Sequence, residues 1–109
     1  MKIFGEFYFK KTDNGNLIGE FTNNSMGGRW DVECSNYCKG IKNNFECKYL
    51  TTWLEDDKPY IAVLEINLEH KENYALNWSN LLTGKKLFVG KAKIEDKNKI
   101  VGTYTNVID

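Results

Sequence analysis

The sequence predicts an all-β chain, a small antiparallel up-and-down barrel of about eight strands. Three observations carry this. Apolar and polar residues alternate with period two from end to end, clusters of Asn, Asp, Gly and Lys separate the alternating runs, and no segment sustains a 3.6-residue period. A single proline and fifteen aromatic residues agree with it. Rings pack well on pleated surfaces.

Taken in order, residues 3–10 put Ile3, Gly5, Phe7 and Phe9 on one face, and 12–16, Thr-Asp-Asn-Gly-Asn, form a hairpin turn. Asn and Gly suit such a turn because they tolerate positive φ. Residues 17–22 face Leu17, Gly19 and Phe21 inward. In the third strand Trp30, Val32 and Cys34 alternate with Arg29, Asp31 and Glu33, which assigns the first set to the interior. Residues 35–44 are expected as a long irregular connection. Strand four turns Phe45, Cys47, Tyr49, Thr51 and Trp53 inward, and 55–59 is a turn. Strand five contributes Tyr60, Ala62, Leu64, Ile66 and Leu68, and strand six Tyr74, Leu76 and Trp78. Residues 79–86 are expected as a loop or one helical turn. Strands seven and eight supply Phe88, Gly90, Ala92 and Ile94, then Ile100, Gly102 and Tyr104.

A chain of 109 residues is read as one domain, 1–109, large enough to bury a real core. Fifteen basic residues balance fifteen acidic ones, which argues against both a general nucleic-acid binder and an acidic nucleic-acid mimic. The first residues run directly into a strand pattern with no signal-peptide apolar run, and no stretch approaches the roughly eighteen apolar residues of a membrane span. Three cysteines, Cys34, Cys38 and Cys47, are odd in number and irregularly spaced. They are expected reduced and buried, in a cytoplasmic protein.

Residues 5–23, GEFYFKKTDNGNLIGEFTN, echo 90–106, GKAKIEDKNKIVGTYTN. Similar hairpins at the two ends suit a closed sheet in which the first strand pairs with the last. The run Tyr74-Ala-Leu-Asn-Trp78, ahead of a Gly90-x-Ala hairpin that ends Gly102-Thr-Tyr104, resembles small calycin-like barrels of the lipocalin and avidin type. The resemblance is architectural. Gly5-Glu6-Phe7 stands where a lipocalin has Gly-x-Trp, and no binding residue carries over.

Catalytic chemistry has no footing in these residues. The one histidine, His70, lies in a charged turn, and Ser25, Ser35 and Ser79 occupy loop-like settings without a nucleophile elbow. Glycine-rich phosphate loops and dinucleotide fingerprints are missing, so no cofactor is expected. Cys34, Cys38, Cys47 and His70 add up to a zinc ligand count, but only the Cys34-x₃-Cys38 pair has knuckle spacing, so no metal is expected either.

The interior is the more telling region. The inward faces carry no Lys, Arg, Asp or Glu, and twelve rings point in. Trp30, Tyr49, Trp53, Trp78 and Tyr104 are the candidate lining of a pocket for a small apolar or planar ligand. The same rings would instead fill a barrel just wide enough for side chains. Gly5, Gly19, Gly90 and Gly102 face inward, either to make room for a ligand or to let rings pack over them. Charge is uneven outside: residues 85–99 carry net +4 and residues 46–72 net −4. Two functions follow: a non-enzymatic binder of a small ligand, or a protein-interaction module, such as a small inhibitor or immunity-type protein, acting through its outer surface.

Overall fold

A computed structural model describes residues 1–41 and 44–108. It is all-β, with strands β1 (Phe4–Lys11), β2 (Leu17–Asn23), β3 (Asp31–Gly40), β4 (Cys47–Glu55), β5 (Lys58–His70), β6 (Asn73–Asn80), β7 (Lys86–Asp96) and β8 (Lys99–Asn106). Each strand pairs antiparallel with its chain neighbour, and β1 also pairs with β8, which closes the barrel. The β2–β3, β4–β5 and β6–β7 connections gather at one end, here the mouth. The other four gather at the base.

Turn chemistry explains the tight connections. Asp56 and Asp57 both take positive φ, 49° and 64°, the pattern of a two-residue hairpin whose twist matches its strands. At the base, Thr12 and Asn16 close the β1–β2 turn by backbone bonding while Gly15 sits at φ 85°. Asn80 Oδ1 accepts from the Leu82 and Thr83 amides, so 81–85 form a short turn rather than a helix.

Half of the core residues are aromatic. Phe7, Phe9, Phe21, Phe45, Tyr49, Trp53, Tyr74, Trp78 and Tyr104 are buried, and Phe88 packs against them half-buried. Rings lie opposite glycines across the sheet. Phe9 pairs with Gly19, Phe7 with Gly102, and Tyr104 with both Gly5 and Gly90. A β-carbon at Gly19 would stand 1.8 Å from the Tyr8 carbonyl oxygen, and one at Gly102 2.0 Å from that of Lys91. The glycines therefore let neighbouring strands coil together beneath the rings, and leave no space for a ligand.

Strand β3 departs from expectation in two ways. It runs on to Gly40, so residues 35–40 are not an irregular connection but pair with β4 as far as Gly40 opposite Cys47. One bulge interrupts that pairing between Tyr37 and Lys39. The expected connection extends over Lys42 and Asn43, which lie outside the described residues. Its parity is also reversed: Glu33 and Ser35 are buried, while Trp30, Val32 and Cys34 are exposed. Both neighbours impose this. Leu17 and Gly19, inward on β2, pair with Ser35 and Glu33, which on the other side pair with inward Thr51 and Trp53 of β4. A one-residue slip would turn the whole strand over, so register outranks the apolar count. Smaller corrections follow. Cys34 and Cys38 are free and exposed on β3, only Cys47 being buried. Tyr60 stands at the mouth, half out, stacked on Trp53 at 5.9 Å and 15°.

Valine at Gly19 or Gly102 must collide with backbone rather than with a movable side chain. Each substitution is expected to destabilise by at least about 3 kcal/mol, the upper end of ordinary overpacking. Chemical denaturation measures this, and a variant within about 0.5 kcal/mol of wild type, the usual scatter of surface changes, would contradict the packing described.

Candidate functional site

At the mouth the inward side chains do not quite meet. They leave a cavity of about 20 Å³ lined by Phe7, Phe21, Glu33, Trp53, Glu55, Trp78, Phe88 and Tyr104. That is room for one or two water molecules. The walls are held by edge-to-face ring contacts: Phe7 against Trp78 at 5.6 Å, Phe88 against Tyr104 at 5.8 Å, and Trp53 against Phe88 at 6.3 Å.

Glu33 forms the inner polar end. Thr51 Oγ1 donates to its Oε2 at 2.6 Å, and Trp78 Nε1 donates to the same oxygen at 2.8 Å. Ser35 Oγ lies 2.7 Å from Thr51 Oγ1, and since the Thr51 proton is committed to Glu33, Ser35 is the donor there. Three strands thus converge on one carboxyl oxygen. The other, Oε1, takes no hydrogen bond from the described residues, and since none of their fully buried side-chain oxygens lacks a partner, it keeps some exposure on a side chain that lines the cavity. Burial raises the Glu33 carboxyl from about 4.5 to about 7, and the Thr51 and Trp78 bonds oppose only part of that rise. Nearer the mouth, burial and the neighbouring Asp56 also raise Glu55, with the Trp53 indole acting the other way. The Tyr104 hydroxyl turns from the cavity, accepting from Asn23 Nδ2 at 3.0 Å and donating to the Thr22 carbonyl at 3.2 Å. Burial pushes it up to about 12.

Of the residues expected to line a pocket, Trp53, Trp78 and Tyr104 come together here. Tyr49 does not. It is fully buried toward the base, where its hydroxyl donates to the Phe45 carbonyl at 3.1 Å and accepts from Lys11 Nζ at 3.0 Å. Trp30 lies outside the barrel, 6.5 Å from the Tyr8 ring, because β3 is turned over. Glu33 replaces it inside, so the expectation of an interior free of charged residues is wrong. Two signals pointed to a hidden acceptor. Thr51 and the Trp78 indole both face inward, and both need a polar partner when buried.

Elsewhere the charged groups make ordinary surface pairs. Arg29 contacts Asp31 at 3.5 Å, and Lys91 contacts Glu69 at 2.7 Å. His70 is exposed, and among the described residues no group of three His, Cys, Asp or Glu side chains could hold a metal ion. No described helix is long and apolar enough to cross a membrane. The fold and cavity define a closed, eight-stranded antiparallel barrel with an aromatic mouth and one buried carboxyl. No known protein family, curated protein or solved structure matches this chain.

A raised carboxyl pKa makes stability depend on pH in a fixed direction. Between about 4.5 and about 7 the folded chain keeps the Glu33 proton while the unfolded chain has lost it. Stability from this group therefore falls as pH rises through that window and levels off above it, by up to about 3 kcal/mol. Glu33→Gln keeps an oxygen for Thr51 and Trp78 but cannot ionise. It is expected to melt several degrees above wild type at about pH 8 and close to it at about pH 4.5. Equal melting temperatures at both pH values would contradict the placement of Glu33.

Proposed function

We propose that the protein is a non-enzymatic binding protein that takes the polar tip of a small, largely apolar or planar molecule at the mouth of the barrel. The observation that carries this is the unpartnered Oε1 of Glu33 at the end of an aromatic-walled cavity. A carboxyl oxygen that no protein donor satisfies is open to a donor from a ligand, and a hydrogen bond to a charged group is worth about 1.5–3 kcal/mol. The cavity admits only a tip. The rest of the molecule lies along Trp53, Phe88 and Tyr60 toward solvent, where the stacked rings offer a flat apolar surface. The calycin-like resemblance fits this reading, since small barrels of that architecture hold ligands at one open end. Exposed, free thiols at Cys34 and Cys38 favour a reducing compartment such as the cytoplasm.

One observation favours a second reading, a protein-interaction module acting through the outer surface. Ile18, Val32, Leu54 and Ile61 are each about half exposed on the outer faces of β2 to β5. Ile18 stands beside exposed Cys34.

The three tryptophans separate the two. Their indole N–H resonances report the cavity through Trp53 and Trp78, and the outer face through Trp30. A small planar fragment library is expected to yield compounds that shift Trp78 and Trp53 and leave Trp30 unmoved. Fragments that move only Trp30, or none that move Trp78, would contradict the proposal.

A further inference from the structure

We propose that the tip this cavity accepts is the primary ammonium group of a small apolar amine, bound against Glu33 Oε1 with its carbon skeleton running out along Trp53 and Phe88. The inference rests on the binding reading above and narrows it to one charge class. Size comes first. A space of about 20 Å³ holds one or two waters. An –NH₃⁺ head is about that size, whereas a ring or a quaternary ammonium is far larger.

Charge comes second. The only carboxylic acids lining the cavity are Glu33 and Glu55, and no lysine, arginine or histidine lines it. A carboxylate or phosphate tip would meet repulsion from Glu33 with nothing to offset it. A cation meets the reverse. Ionised Glu33 is a buried charge with two neutral donors, both on Oε2, and no cationic partner among the described residues. Such a charge is costly until it is paired, and an ammonium supplies both the pairing and a donor for Oε1. The surrounding rings add to this, because their π faces attract a cation within about 6 Å.

The pH dependence follows from the groups that face Glu33. Thr51 of β4 and Trp78 of β6 donate to it, Phe7 of β1, Phe21 of β2 and Phe88 of β7 are uncharged, and Glu55 of β4 and Tyr104 of β8 are the other titratable groups in the lining. Asp31, along β3, is bonded to Arg29. Tyr104 stays neutral below about 12, and burial and Asp56 raise Glu55, so ionisation of Glu33 near 7 sets the charge at the inner end of the cavity. Amine binding therefore strengthens as pH rises through about 7, and holds until the amine itself loses its proton near 10.

Phenethylamine and phenethyl alcohol test this. They share shape and differ in the head group, and the Trp78 indole resonance reads both, in wild type, Glu33→Gln and Glu55→Gln. At about pH 8.5 the amine is expected to bind wild type at least tenfold tighter than the alcohol, the worth of a charge-assisted hydrogen bond. At about pH 5.5 that preference should shrink several-fold, and it should vanish in Glu33→Gln while surviving in reduced form in Glu55→Gln. Equal binding of amine and alcohol to wild type at the higher pH would overturn the amine assignment and leave the binding reading standing. So would a preference that Glu33→Gln retains or that pH does not change. If neither probe shifts Trp78 at millimolar concentration, both readings fall.

Discussion

Two hydrogen bonds to one buried oxygen organise this barrel. Thr51 and the Trp78 indole both donate to Glu33 Oε2, tying β3 to its neighbour β4 and, across the interior, to β6. The Trp78 indole would be buried without a partner if Glu33 faced solvent, at a cost of about 1–3 kcal/mol, and Thr51 would be left with the longer bond to the Cys34 carbonyl at 3.3 Å. The same two bonds let a carboxyl sit at 6% exposure in an interior of rings and aliphatic side chains. They also fix Glu33 and Ser35 as inward residues of β3, so Val32 and Cys34, with Trp30 just before the strand, lie on the outer surface.

Around that point the barrel fills unevenly. Toward the base, Phe9 lies opposite Gly19, Tyr49 is fully buried, and Phe45 meets Tyr74 edge-on at 5.9 Å. Lys11 closes this end, its ammonium 5.3 Å from the Tyr49 ring centre and 5.6 Å from that of Phe45. Desolvation lowers its pKa, which the ring faces and the Tyr49 and Asn44 oxygens make tolerable. Toward the mouth the rings meet edge to face, a geometry that leaves gaps, and the carboxyl prevents apolar side chains from closing the last one. Fold and cavity thus share a cause. An aromatic side chain at position 33 would fill the space and leave the Trp78 indole without its acceptor.

Most of the architecture was legible from alternation alone. The inward faces of β1, β2, β4, β6, β7 and β8 follow the period-two pattern, and so does the middle of β5, where Ala62, Leu64 and Ile66 are buried while Tyr60 and Leu68, expected inward, are exposed. On β3 the apolar set is not the inward set. Trp30-Asp-Val-Glu-Cys34 alternates as cleanly as any segment, yet parity there is decided by pairing with Leu17, Gly19, Thr51 and Trp53, information that lies in the neighbours. The continuation through Ser35, Tyr37 and Gly40 was hidden for a related reason, since residues typical of turns can form a strand when both edges are paired. The candidate site inherited that error. Trp53, Trp78 and Tyr104 were visible as inward rings, while Glu33, the group that gives the cavity its chemistry, was assigned to solvent. An unmatched indole N–H and an unmatched threonine hydroxyl on inward faces were the only local signs of it.

The ionisation of Glu33 in the native protein is therefore the most direct gauge of the whole account. Its side-chain carboxyl carbon resonance can be followed against pH, with Glu33→Gln serving to assign the signal. The account expects a midpoint near 7, moved downward when a cationic amine occupies the cavity. A midpoint near 4.5, the ordinary value for an exposed glutamate, would place Glu33 in solvent and contradict the parity of β3, the satisfied core and the cavity together.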